Sequence, residues 1–384
     1  MLAGQERLDW IRLALMPYIG AETFASLLQH YGSAAAVWAA QEEVAAVLPG
    51  KAAQQAWRSR QDEAQAAADA ALAWAEQGGC RLLLSADADF PPMLTEGLTP
   101  PPLLFVRGRV GLLSQASVAI VGSRHATPQA LRIAADFGAA LSAQGLVTVS
   151  GMAAGIDTAA HEGALRQAGG TVAVWGTGID RVYPAANQAL AHRIAESGCV
   201  VSEFPLGTRP LAGNFPRRNR LIAALAQATL VVEAALESGS LITARLAAEM
   251  GREVFAVPGS IDNPHSKGCH ALIKQGAKLT ETLADILEEC PLLQATPVPA
   301  PAAVSAPPPA SAAPTASADT VAPEPPPAPE SALLRAMGYD AVHPDSLAQT
   351  LGIPAADVYA EITLLEMAGA VAPLAGGRYQ RVKP

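Results

Sequence analysis

Between residues 116 and 290 two patterns alternate along the chain. Short, nearly unbroken apolar runs (Val118–Val121, Leu146–Ser150, Val172–Trp175, Val200–Ser202, Leu230–Val232 and Val254–Val257) are separated by stretches whose apolar positions recur at helical spacing. A strand covered on both faces needs apolar residues throughout, whereas a strand with one wet face alternates. The pattern therefore predicts a parallel, doubly wound α/β sheet with helices on both sides.

The flanks follow other patterns. Residues 1–78 carry helical periodicity, first in "WIRLALMPYIGAETFASLLQHYGS" and then in an Ala-rich stretch. The turn at Tyr18-Ile19-Gly20-Ala21 is similar to a helix-hairpin-helix or SAM-like unit, in which a Gly turn can offer N–H groups to a phosphate. Plain packing of two helices through a Gly turn explains it as well. Residues 80–112 read as two short strands around a Pro-rich turn and a brief helix. Residues 331–384 read as three helices and a hairpin, the elements of a winged helix.

The expected domains are thus 1–78, helical; 80–290, the α/β core; 294–330, a linker; and 331–384, the winged helix. The linker is Pro/Ala-rich, without Lys or Arg and with no apolar residue larger than Val. Such a segment cannot bury enough surface to offset its ordering entropy and is expected to be disordered or polyproline-like.

Composition narrows the options. The formal net charge of −9 argues against bulk attraction to a polyanion, so any such site has to be local. No apolar run is long enough for a membrane span, and Glu6, Arg7 and Asp9 do not fit a secretory signal. The four cysteines show neither CxxC nor metal-ligand spacing. A cytoplasmic protein without a metal or cofactor is expected.

In a parallel sheet the strand C-termini share one edge, where ligands bind. The loops there contain Gly122-Ser123-Arg124, then Gly151 through Gly155, Gly176-Thr177-Gly178, and Ser238-Gly239-Ser240. Glycine permits close approach of a ligand to backbone N–H groups, but it also serves tight turns. Neither GxGxxG after the first strand nor GxxxxGK[ST] occurs, so neither a dinucleotide nor a P-loop site is expected.

The loop after the fourth core strand decides the reading. From Pro205 to Ile222 it holds Arg209, Arg217, Arg218 and Arg220 with no acidic residue, and Phe204 and Phe215 lie with them. Arginines for a phosphate backbone and aromatics for bases are what sequence-tolerant single-strand binding requires. Arg218 or Arg220 could instead pair with Glu203 or Glu233, and Phe215 could pack on the following helix, which is expected to start near Pro216.

In order, "VAIVGSR", "SGMAAGIDTAAH", "SEFPLG", "NFPRRNR", "VVEAALESGSLITA" and "VPGSIDNPHSKGCHALIKQGA" resemble the DNA-processing protein A (DprA/Smf) family, over about residues 80–290. The N-terminal and C-terminal units fit the same family. The resemblance implies an extended Rossmann fold acting as a homodimer. It also implies a non-catalytic mediator that binds and protects incoming single-stranded DNA and loads the RecA recombinase in natural transformation. Carried onto this chain, the resemblance implies binding by Arg124, Arg209, Phe215, Arg217, Arg218, Asn219, Arg220 and the loop Ser238, Gly239 and Ser240. The strand-end loops and motifs add Gly122, Ser123, Gly151, Gly155 and Asn214 to the candidate binding residues. One departure is the winged helix, where four basic residues against five acidic ones leave a net charge of −1. Independent tight binding of duplex DNA does not fit that balance.

The alternative is an enzyme. Rossmann-like nucleoside-monophosphate phosphoribohydrolases place a Gly-rich loop and a carboxylate at the same edge, and "ESGSLITA" sits where their PGGxGTxxE motif would fall. The second glycine pair and the carboxylate are missing. Asp157 and His161, spaced i, i+4, could form an acid/base or metal pair. The simpler reading makes Asp157 a helix N-cap and treats Glu203 and Glu233 as arginine partners.

Overall fold

The computed structural model describes residues 2, 4–261, 263–294, 332–337 and 341–382. They form two units, divided between residues 297 and 298. The expected linker falls outside the described residues, except for Gln294, which closes a helix.

The N-terminal helices are α1 (Gly4–Ala14), α2 (Ala21–Tyr31), α3 (Ala34–Ala39), α4 (Gln41–Val47), α5 (Gly50–Ser59) and α6 (Gln61–Ala75). Their apolar stripes meet in a core that includes a stacked pair, Trp38 and Trp57, with centroids 4.7 Å apart. That core continues through Trp74 and Phe105 onto one face of the central sheet. The Trp10 indole N–H donates to the Pro102 carbonyl at 2.8 Å, and Arg7 pairs with Asp87 at 2.7 Å. The helical segment and the sheet therefore share one hydrophobic interior.

The sheet has nine strands: β1 (Cys80–Leu84), β2 (Leu103–Gly108), β3 (Ser117–Val121), β4 (Val147–Ser150), β5 (Thr171–Val174), β6 (Cys199–Ser202), β7 (Ala228–Val231), β8 (Glu253–Ala256) and β9 (Lys278–Leu279). Their spatial order is β1-β2-β6-β5-β4-β3-β7-β8-β9. The strands from β6 to β9 in that order are parallel, and β2 and β1 extend the edge antiparallel. The intervening helices are α7 (Pro128–Ala143), α8 (Ile156–Ala164), α9 (Gln188–Ser197), α10 (Asn214–Leu225), α11 (Ser240–Glu249), α12 (Lys267–Lys274), α13 (Leu283–Glu289) and α14 (Pro291–Gln294).

β3 to β7 are buried along their whole length, as their apolar runs require. The short, exposed β9 has no apolar run and gave no signal in the sequence. The chain first adds strands on one side of β3, then returns to add β7 on the other side. This reversal opens a crevice at the C-terminal ends of β3 and β7, the usual ligand position in such sheets.

The second unit contains α15 (Ala332–Met337), α16 (Pro344–Leu351), α17 (Ala355–Met367), β10 (Val371–Leu374) and β11 (Arg378–Arg381), a winged helix. Leu333, Met337, Leu347, Val358, Ile362 and Val371 form its core.

Candidate functional site

A cleft of about 770 Å³ occupies the switch-point crevice. Three segments meet there. Gly122, Ser123 and Arg124 follow β3, Ser238 to Ser240 lead into α11, and Phe215, Arg218 and Asn219 come from the first turns of α10. α10 starts at Asn214, two residues before the expected start, with Gly213 as N-cap.

Helical geometry divides the "NFPRRNR" side chains. Phe215, Arg218, Asn219 and Ile222, spaced i, i+3, i+4 and i+7, face the cleft. Arg217 and Arg220 lie on another face of the helix, beside a separate cleft lined also by Gly20, Thr99 and Met250. Arg209, Asn214 and Gly155 line neither.

The cationic groups differ in kind. Arg124 is exposed and forms no ion pair among the described residues; its guanidinium carbon lies 5.5 Å from the centroid of the Phe215 ring. This is cation–π distance, and it leaves the N–H edges of the guanidinium in water. Arg218 is only 4% exposed. Its guanidinium donates to the carbonyls of Gly151 and Val174, and its Nε donates to Asn219 Oδ1 at 3.2 Å. Burial brings its pKa down to about 10, with the Arg124 charge adding to that and Asp157 opposing it. Arg218 is thus part of the floor.

Asp157 is the counter-charge. Its Oδ2 accepts from the N–H groups of Gly151 (3.1 Å) and Ala153 (3.3 Å). Burial raises its pKa, against the pull of Arg218 and these N–H groups. The expected N-cap role is not what the structure contains. Gly155 holds that position, and Asp157 lies inside α8, with its carboxylate turned back to the loop.

Gly151 thereby bonds both charges, and a Cβ there would stand 2.7 Å from the Arg218 guanidinium. Gly155, at φ +83°, packs against the Ser123 carbonyl, which a Cβ would approach to 2.2 Å. These two glycines serve loop packing.

Of the other carboxylates, Glu237 is exposed and lines the cleft beside Ser238, while Glu203 and Glu233 are held by neighbouring groups. Glu203 pairs with Arg220 and lies 3.5 Å from Arg217, whose guanidinium also covers the Phe204 ring. Glu233 is not an arginine partner. It accepts from the Thr127 N–H (3.1 Å) and hydroxyl (2.7 Å), supporting the N-cap of α7.

His161 does not pair with Asp157. Its Nδ1 lies 2.8 Å from Thr171 Oγ1, whose hydroxyl proton is given to the Thr148 carbonyl, so Nδ1 must carry the proton and donate. Burial, aided by Arg218, lowers the imidazole pKa to about 3, so the ring is neutral. No group of three or more His, Cys, Asp or Glu able to hold a metal occurs among the described residues, and none of their helices is long and apolar enough to cross a membrane.

One lining residue has no counterpart among the sequence expectations. Tyr183 is 47% exposed, and its ring centroid lies 5.5 Å from that of Phe215. It comes from the β5–α9 connection, 32 positions away in sequence, and no periodicity links the two rings. The only hint was an aromatic-proline pair in a Gly-rich loop of the same sheet edge.

A doubly wound sheet with an exposed arginine and two aromatic rings over its switch point defines a Rossmann-like protein with a cationic, aromatic-lined cleft. Its family is identified by sequence. The DNA recombination-mediator protein A family profile matches residues 81–291, the DprA-like N-terminal HHH domain matches residues 4–76, and the DprA winged helix domain matches residues 305–377. The chain belongs to the DNA recombination-mediator protein A family.

Among its relatives is protein Smf of Escherichia coli (strain K12), 40% identical over 82% of this chain and 81% of that protein. DNA processing protein DprA of Streptococcus pneumoniae is 47% identical over 53% of this chain and 72% of that protein. The crystal structure of the latter species' DprA superposes with a TM-score of 0.65 at 35% identity, over 75% of this chain and 99% of that one. DNA processing protein A of Helicobacter pylori, studied for its single-stranded DNA binding mode, gives a TM-score of 0.50 at 30% identity, over 56% of this chain and 96% of that one.

Proposed function

We propose that the switch-point cleft binds single-stranded DNA without sequence preference. The observation that carries this reading is the unpaired Arg124 guanidinium over the Phe215 ring, with Tyr183 alongside. Arg124 contacts a phosphate, and Phe215 and Tyr183 stack bases. The loop Ser238-Gly239-Ser240 at the start of α11 supplies a further phosphate contact through hydroxyl and N–H groups. Arg209, Arg217 and Arg220 extend the basic surface outside the cleft, and Arg218 positions the floor.

The reading is of a binder and not an enzyme. Asp157 and Glu233 are buried and committed to N–H and hydroxyl groups of the loops. This leaves the exposed Glu237 as a single carboxylate on the cleft rim, without an acid/base partner beside it among the described residues. The families and relatives support placing this binding in recombination. There the protein, as a cytoplasmic homodimer, would protect incoming single strands and load the RecA recombinase during natural transformation. The domain plan that goes with it is a helical domain over 1–78, the binding domain over 80–290, a linker and a winged helix over 331–384.

Fluorescence anisotropy with labelled oligo-dT tests the reading. Binding should be saturable at low salt and fall steeply as salt rises. Release of free base from a nucleoside monophosphate would instead favour the phosphoribohydrolase alternative.

A further inference from the structure

The winged-helix unit has the shape of a duplex reader but not its chemistry. α16 and α17 are joined by Gly352-Ile353-Pro354, with Gly352 at φ +67° closing α16. α17 is therefore the helix that a DNA-binding winged helix would lay in the major groove. Its sequence, AADVYAEITLLEM, has no Lys, Arg or His and contains Asp357, Glu361 and Glu366.

The faces of α17 are distinct. Val358 and Ile362 are buried in the core of the unit. On the opposite side, at 100° per residue, Ala356, Ala360, Thr363, Leu364 and Met367 form one stripe with no charged residue in it. All five are exposed, Leu364 by 66% and Met367 by 82%. Asp357 and Glu361 edge this stripe on one side; on the other the half-exposed Tyr359 adjoins it, with Glu366 one position further round.

We propose that this outward face of α17 docks a protein partner through an amphipathic helix whose apolar stripe is flanked by Lys and Arg. The small Ala356 and Ala360 leave room for partner side chains. Leu364 and the adaptable Met367 supply the apolar contact. The acidic rims select basic flanks by charge complementarity. The same rims oppose the other occupants. Duplex phosphates would meet carboxylates with no cationic side chain on the helix, and a second copy of the stripe would set acidic rim against acidic rim.

The test uses the full chain and three labelled helical peptides of about 18 residues, long enough to form four turns or more. One carries a Leu stripe flanked by Lys, the second has the same stripe flanked by Glu, and the third has the Lys flanks with Ser replacing Leu. At physiological salt the first should bind about tenfold or more tighter than either other peptide. The double variant Leu364→Ser/Met367→Ser should remove most of that difference while keeping the circular dichroism melting curve, since both side chains point to solvent. Equal binding of all three peptides, or unchanged binding by the double variant, overturns the proposal. So does self-association, or a duplex DNA shift, that the double variant abolishes.

Discussion

The guanidinium of Arg124 stands over the ring of Phe215, 5.5 Å from its centroid, although the two residues are 91 positions apart. One follows β3 and the other begins α10, and the strand reversal at β3/β7 brings them to one cleft. Arg124 is exposed and forms no ion pair among the described residues, so its charge is available to a ligand phosphate.

Arg124→Ala should therefore leave the melting temperature unchanged and reduce the slope of log K against log salt by about 0.7, the share of one single-strand phosphate. An unchanged slope for oligo-dT binding would assign Arg124 another role.

Phe215→Ala should weaken oligo-dT binding by about 1–3 kcal/mol, with little change in salt slope, because stacking carries no counterion release. Tyr183→Ala should give a loss in the same range. If the two touching rings form one platform under a single base, the double variant should lose less than the sum of the single losses. Titrations of the three variants decide this.

Arg218 behaves differently. Removing it by Arg218→Met strands the buried Asp157 charge and should destabilise the fold by about 3–5 kcal/mol in chemical denaturation. Arg218→Met/Asp157→Asn should recover much of that loss, which a role confined to ligand binding would not produce.

His161 should make stability pH-dependent. Its folded pKa of about 3 lies below the ordinary 6.5, so the unfolded chain takes up the proton first as pH falls. Its contribution is fully present above pH 6.5 and is lost toward pH 3, with a slope of at most ~1.4 kcal/mol per pH unit in that window. Denaturation midpoints of wild type and His161→Gln should diverge less as pH falls from 7 to 5. A constant difference would contradict a neutral, buried imidazole.

The sheet was legible because fully buried strands must be apolar throughout, and the loops after parallel strands necessarily share one edge. Arg124, Phe215 and the Ser238 loop were found that way. The division of labour among Arg217, Arg218 and Arg220 was in principle readable from the helical period. What the period cannot tell is which face of the helix meets the cleft, because that is set by how α10 packs between the β3 and α11 loops. Tyr183 was not legible, since only the three-dimensional arrangement of two loops places it beside Phe215. Nor was Glu233, whose partner is the cap of α7. The sequence offered it an arginine on charge grounds alone, and the nearer Thr127 takes the bonds.

The most direct test of the central claim is a salt-dependent oligo-dT titration of wild type beside Phe215→Ala and Arg124→Ala. The expected result is steep salt dependence for the wild type, a uniform loss of affinity for Phe215→Ala, and a shallower slope for Arg124→Ala, with all three proteins equally folded. Wild-type affinity and slope in both variants would place single-strand binding somewhere other than this cleft.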